Sequence, residues 1–330
     1  MKDVAKVAGV SQTTVSFVIN NTPATGIPQE TKDRVWAAVA ELGYRPNVYA
    51  QYLRTQRSHI LGFITDEIAI TPHAGKIFEG AQDVAWEHGK IILLVNTKSY
   101  PELKTAAVER LLERQAEGVI YATMYHRPVE PPESLREVPT VLLDCYVEDH
   151  SLPSVVPDEV NGGRLATQYF VDKGHRRIGF INHADAIPAT FGRLKGYKQA
   201  LSDAGIPFDE TLVRVVEAEP EGGYDQAMTL MQTPDPPTAI FCFNDRTAMG
   251  AYDALRKLDL SIPEDVAVIG FDNQEIIAAH LYPPLTTMEL PHYKMGEWAA
   301  NKLISLIEEN DNDPLVQHKI DCPLIERKSA

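Results

Sequence analysis

Side chains able to make directional hydrogen bonds crowd into one short stretch near the amino terminus, Ser11-Gln12-Thr13-Thr14-Val15-Ser16-Phe17-Val18-Ile19-Asn20. Amides and hydroxyls carried on one helix are the groups that reach base edges and hold phosphates. At helical spacing Val15, Val18 and Ile19 share a face and should pack inward. Gln12, Thr13, Ser16, Phe17 and Asn20 then turn outward or toward the rim. Gln12 and Thr13, in the first turn, are placed for base edges, whereas Ser11, Thr14 and Ser16 suit phosphates. Thr14 and Ser16 are otherwise plain solvated helix residues. Elsewhere no residue pattern nominates a nucleophile or a metal site. No glycine-rich loop follows an apolar strand, GxSxG, CxxC and HExxH are absent, and the 10 histidines are scattered. No enzymatic activity, metal or cofactor is expected.

The elements that must position this stretch are short. Asp3 opens a run in which Val4, Ala5, Val7 and Ala8 can form one apolar face, and Gly9 supplies the left-handed conformation that stops a helix. Ser11 restarts the chain as an N-cap, with Val10 and Val15 at the positions of a hydrophobic staple. Two helices joined by a glycine-containing turn make a helix-turn-helix, whose second helix fits the major groove of DNA. A third helix is expected over Pro28–Leu42, with Val35, Trp36, Val39 and Leu42 facing the first two and Gly43 ending it. Arg45-Pro46-Asn47 breaks regular structure, and Val48–Leu53 spells one or two helical turns, unstable alone in water.

The charge of the chain is divided to match. Its formal net charge is −15, yet residues 1–57 carry seven Lys and Arg against four Asp and Glu, leaving −18 on the remainder. Phosphate attraction is thereby confined to one end. The three cysteines, Cys145, Cys242 and Cys322, are far apart in apolar surroundings and read as reduced core residues. With no secretory h-region and no long uncharged apolar run, a cytoplasmic protein without a membrane partner is expected.

From Ile60 the pattern changes to apolar strands alternating with amphipathic helices. Strands are expected at 61–65, 91–97, 118–123, 140–144, 177–183, 212–218, 239–244 and 266–272. Helices are expected at 75–88, 102–115, 161–173, 194–204, 222–231 and 246–258. Continuous apolar strands with intervening helices imply parallel sheets covered on both faces. The strands fall into two groups parted near Pro153–Asp158, which suggests two similar lobes with a ligand at the carboxyl ends of their strands.

The segment DVAKVAGVSQTTVSFVIN resembles the amino-terminal signature of the lactose-repressor/galactose-repressor (LacI/GalR) family of transcription regulators. The resemblance continues through VWAAVAELGYRPNVYAQYLR, GVIYA, DEVNGGRLATQYFVDKGHRRIGFI, GRLKGY, PTAIFCFNDRTAMGAYDAL, IPEDVAVIGFD and PPLTTMELP to LIERKS, in the family's order. The fold it implies is α/β: a helix-turn-helix head over 1–46, a hinge helix and linker over 47–57, and a two-lobed, periplasmic-binding-protein-like domain over 58–330. The first lobe would take about 58–157 and 290–318, the second about 158–289 and 319–330, each with a parallel Rossmann-like sheet.

That resemblance implies a dimeric, ligand-controlled repressor on a palindromic operator, with a carbohydrate effector between the lobes. Two related alternatives stay open: a global regulator whose coeffector is a phosphorylated carrier protein, and a repressor responsive to a nucleoside or purine. A stand-alone sugar-binding protein is a more remote one. In the hinge, Asn47, Ala50 and Leu53 match the family's minor-groove helix, where the leucine of each subunit inserts at a base step. Relatives often carry Arg or His where Phe17 stands; Phe17 either contacts a thymine methyl or packs within the head. In the cleft, Arg193 of GRLKGY matches the ligand-binding arginine, Asp272 would accept from hydroxyls, and Asn244 of FND would donate and accept. Asp66, His73 and Thr123 occupy strand ends or loops that line family pockets, and Tyr146 and Phe191 are possible stacking surfaces. Asp245 has an alternative as the cap of the following helix, Asp272 as a strand-end turn residue, and Asp144 as an acceptor for backbone amides. Ala218 and Leu290 depart from the family pattern, making the pocket less aromatic and less polar. No leucine heptads follow LIERKS, so a dimer is expected rather than a coiled-coil tetramer.

Overall fold

The computed structural model describes residues 1–20, 22, 26–44, 57–68, 75–98, 100–308 and 317–330, which form two compact units, Met1–Ser58 and His59–Ala330. The hinge residues Asn47, Ala50 and Leu53, and the cleft candidate His73, lie outside the described residues.

The amino-terminal unit is built from α1 (Lys2–Ala8), α2 (Gln12–Ile19) and α3 (Gln29–Glu41). Gly9, at φ 66°, ends α1, and the Val10 N–H donates to the Ala5 carbonyl at 3.0 Å. Ser11 caps α2, its hydroxyl accepting from the Thr14 N–H at 3.0 Å. Val4, Ala5, Ala8, Val15, Val18, Val35 and Ala38 make the core, with Val10, Ile19, Val39 and Tyr44 packed against it. The expected inner face of α3 needs correction. Trp36 and Leu42 are 48% and 43% exposed, while Ala38 takes the inner position. One residue rotates the helix about 100°, so Trp36 cannot share the face of Val35.

The larger unit contains two six-stranded sheets. The first uses β1 (Ile60–Thr65), β2 (Ile91–Asn96), β3 (Gly118–Pro128), β4 (Thr140–Tyr146) and β5 (Ser154–Pro157), and the second β6 (Ile178–His183), β7 (Val213–Val216), β8 (Ala239–Cys242), β9 (Ala267–Asp272) and β10 (Thr286–Glu289). Then β11 (Gln317–Ile320) returns to the first sheet and β12 (Leu324–Ile325) to the second. Their orders are β11-β5-β4-β3-β1-β2 and β12-β10-β9-β8-β6-β7, parallel throughout except for β12 against β10. Successive residues serve opposite faces, as a pleated strand requires. Leu61 and Phe63 enter one core of the first sheet and Ile64 the other; Ile240 and Cys242 are divided from Ala239 and Phe241 in the same way across the second.

Four strands escape the periodicity reading. β5, with proline on its flank and at its end, occupies the stretch expected to part the lobes; β10, β11 and β12 are polar or very short. β11 also spans the lobe boundary expected near 318. The helix His292–Ile307 packs on the first sheet through Met295, Ala299, Ala300, Leu303 and Ile304. The chain therefore passes between the sheets after β5, β10 and β11, and these three crossings bring the carboxyl ends of both strand sets toward one cleft.

Candidate functional site

A cavity of about 380 Å³ lies between the lobes, in the size range of small-molecule sites. Its lining comes from strand ends. Met124, Tyr125 and His126 belong to β3, Asp144 to β4 and Pro157 to β5, and they face His183 of β6, Phe243 and Asn244 after β8, and Asp272 of β9.

The deepest group is Arg193, 2% exposed, on the helix Pro188–Asp203. Its Nε donates to Glu159 at 2.7 Å and Nη2 to the other carboxylate oxygen at 3.3 Å, a two-point pair. Nη1 donates to the Phe243 carbonyl, and Asp272 stands 3.8 Å from Nη2. The guanidinium lies over the rings of Phe271 and Phe243, at 3.6 and 4.3 Å. Burial works against its charge, but Glu159 and Asp272 outweigh burial and hold its pKa above the ordinary value. Glycines allow this meeting: a Cβ on Gly196 would strike the Val160 carbonyl, and one on Gly163 the backbone of Arg193. Close approach of the helices Glu159–Asp172 and Pro188–Asp203 sets Glu159 beside Arg193.

Other polar atoms in the lining have no hydrogen-bond partner among the described residues. Asp144, 6% exposed, leaves Oδ1 without a hydrogen bond, and both ring nitrogens of buried-edge His126 and the Nε of Arg246 are unpartnered too. Burial, with Glu159 and Asp66 nearby, pushes the Asp144 carboxyl well above the usual range. Burial lowers the His126 pKa and favours the neutral ring, which donates through one nitrogen and accepts through the other. Leaving such groups dry and unpaired is costly, so this wall suits a ligand that both donates and accepts.

The residues singled out from the sequence divide clearly. Arg193, Asn244 and Asp272 line the cleft. Arg193 does not present an open fork, because Glu159 occupies it. Asn244 also caps the helix Asp245–Lys257, its Oδ1 accepting from the Thr247 N–H at 2.8 Å and its Nδ2 donating to the Ala218 carbonyl at 3.1 Å. The cap is thus Asn244 rather than Asp245, whose carboxylate accepts from Thr287 and the Gln274 N–H, both at 2.6 Å. Asp272 ends its strand at φ 101°, a strained conformation for a residue with a side chain, while facing the cleft.

Asp66 and Thr123 stand beside the cleft without lining it. The Asp66 carboxylate accepts from Arg127 at 2.6 Å, the Met124 N–H at 2.9 Å and the Glu67 N–H at 2.7 Å. The Thr123 hydroxyl serves the Tyr125 and Asp144 carbonyls. Tyr146 meets His126 edge-on, with centroids 5.5 Å apart, and so backs the lining ring rather than a ligand. Phe191 points elsewhere: it is 60% exposed among Leu194, Lys195 and Lys198. On a helix whose Ala189 and Arg193 face inward at i and i+4, residue 191 falls on the opposite side. Glu159 and His126 escape the sequence reading because an acid opening a helix and a histidine beyond the apolar part of its strand carry no periodic signal. Ala218 and Leu290 both line the cleft.

On the head, Gln12, Thr13 and Phe17 are exposed on α2, opposite buried Val15 and Val18. Phe17 is 39% exposed and is not among the residues of the head's core cluster. Asn20 donates to the Ser16 carbonyl at 2.6 Å and to its hydroxyl at 3.2 Å, and the Ser11 and Thr14 hydroxyls lie 2.9 Å apart.

Residues 1–47 match the family model described as bacterial regulatory proteins, lacI family, and residues 58–328 that of periplasmic binding proteins and sugar binding domain of LacI family. The chain is 34% identical to the ribose operon repressor of Escherichia coli strain K12 over 335 residues, covering 100% of this chain and 99% of that protein. It is 32% identical to the HTH-type transcriptional repressor PurR of Vibrio atlanticus strain LGP32, covering 100% and 98%. Among solved structures it resembles the lac repressor dimer bound to operator and the anti-inducer ONPF, at TM-score 0.79 and 27% identity over 99% of this chain and 97% of that one.

Proposed function

The chain belongs to the LacI family of bacterial regulatory proteins, a DNA-binding regulator of transcription controlled by a small molecule, and from that premise we propose that it is a cytoplasmic, homodimeric repressor, without enzymatic activity, whose effector is a carbohydrate. The observation that carries the effector reading is that Asp144 Oδ1, the His126 ring and Arg246 Nε, a mixed set of acceptors and donors in the cleft lining, have no hydrogen-bond partner among the described residues. Hydroxyls, each both donor and acceptor, suit such a set. Similarity to a ribose operon repressor supports the same class.

At the other end, Gln12 and Thr13 read base edges, Ser11, Thr14, Ser16 and Asn20 hold the backbone near phosphates, and Phe17 meets a thymine methyl. Two heads read inverted half-sites, and Asn47, Ala50 and Leu53 enter the minor groove between them. Ligand binding changes the angle of the lobes and with it the spacing at which the two hinges can fold on DNA. Such coupling amounts to about 1–3 kcal/mol of operator affinity.

Melting the full-length chain with pentoses, hexoses, disaccharides and nucleosides tests the effector reading. A sugar that raises the melting temperature and changes operator affinity supports it. A response to nucleosides alone selects the second reading, which the full-length similarity to PurR favours.

A further inference from the structure

The arginine that the family resemblance offers as a ligand group is already held by groups of its own chain. The fork of Arg193 is filled by Glu159, its remaining edge meets the Phe243 carbonyl and Asp272, and aromatic rings lie against its face. Around this single buried guanidinium stand three carboxyl groups at depth, those of Asp144, Glu159 and Asp272. Toward the mouth, Glu67, Asp185, Glu217 and Glu219 add four more against Arg246, whose Nη1 is paired with Glu219 at 2.8 Å. An entering phosphate or carboxylate would find the fork of Arg193 closed and, among the described lining residues, more carboxyl groups than guanidinium groups. A hydroxyl would find Asp144 Oδ1 open to a donor and Arg246 Nε open to an acceptor.

We propose that the cleft selects an uncharged polyol and rejects its phosphorylated or carboxylated counterparts, with a ligand hydroxyl donated to Asp144 as the discriminating contact. The inference rests on the carbohydrate reading above and narrows it. It also separates two roles that the sequence merges. Arg193 is a positioning residue that holds Glu159 and Asp272 in place, whereas Asp144 touches the ligand. The raised carboxyl of Asp144 fits this division. Burial, with Glu159 and Asp66 nearby, already disfavours charge at Asp144, so a neutral ligand suits this place better than one that brings a further charge.

The test is calorimetric titration of the full-length chain with D-ribose, D-glucose and D-galactose, each beside its own terminal phosphate, and with glucuronate and galacturonate beside the parent hexoses. The expected result is that at least one neutral sugar binds and its anionic counterpart binds about thirtyfold more weakly. That factor corresponds to one uncompensated like charge roughly 8 Å away in an effective dielectric of about 20. Added salt should narrow the gap, because the mouth carboxylates are solvated. Asp144→Asn should weaken the neutral sugar at least about tenfold in a chain that still melts cooperatively. An anionic sugar that binds as tightly as its neutral parent overturns the charge inference and leaves the carbohydrate reading standing. Binding of nucleosides with no response to any sugar overturns both, as does silence across the whole panel.

Discussion

Replacing Glu159 with Gln should expose how much of the second lobe's stability rests on one buried ion pair. The change preserves shape and leaves an amide oxygen that can still accept from Arg193 Nε, but it removes the charge that meets the guanidinium at two points. Removing one partner of a buried pair costs about 3–5 kcal/mol, because the other charge stays buried and uncompensated. Here Asp272 remains at 3.8 Å and the Phe243 carbonyl still accepts, which places the loss near the lower end, about 3 kcal/mol. For a domain of this size that corresponds to a fall of about 6–10 °C in melting temperature. Urea denaturation of the full-length chain followed by far-UV circular dichroism provides the measurement, with Arg193→Met and the double variant completing a cycle. The double variant should be more stable than either single one, since neither charge is then stranded. A loss below about 1 kcal/mol for Glu159→Gln, with strictly additive effects in the cycle, would refute the reasoning.

Other outcomes follow from the same geometry. Because the folded chain holds a proton on Asp144 that the unfolded chain releases above the ordinary carboxylate range, stability should fall as pH rises from about 4 toward the raised folded value. Asp144→Asn should flatten that slope and stabilise the ligand-free protein on the alkaline side, with Asp245, also raised by burial, keeping part of the slope; melts across the pH range read both. Ser11→Ala removes the cap of α2 and should cost the head about 1 kcal/mol in denaturant melts. Gln12→Ala should relax preference at one base position at a cost of about 1–3 kcal/mol, whereas Ser16→Ala should weaken all sequences alike, as competition binding on single-base variants would reveal. Phe191→Ser should leave ligand affinity unchanged by calorimetry, in keeping with its outward position.

The alternation of apolar strands with amphipathic helices made both sheets legible, because strands buried on two faces must be apolar along their length. The head was legible for a different reason: Gly9, Ser11, Val15 and Val18 each have a position that only one local structure satisfies. What escaped was decided by contacts distant in sequence. Strands as short as Leu324–Ile325 exist because an edge awaits them, and no local pattern of two residues announces that. The pairing of Glu159 with Arg193 depends on two helices meeting across glycines. The family motif pointed to Arg193 as a ligand group, but motif alone is silent about a carboxylate 34 residues away that fills its fork. Asp66 and Thr123 are legible only as strand-end residues, and that position brings a residue near a cleft without deciding whether its own lobe consumes it.

The central claim is that one molecule couples a polar cleft to recognition of a two-fold symmetric duplex. Selecting binders from a random duplex pool with the full-length chain, then titrating the enriched duplex by fluorescence anisotropy with and without the sugar that shifts the melt, tests it most directly. The account predicts an inverted repeat whose affinity changes at least about fivefold on adding the sugar, and a loss of that response, with DNA binding kept, in Asp144→Asn. Enrichment of no symmetric sequence, or an affinity indifferent to a sugar that demonstrably binds, would contradict it.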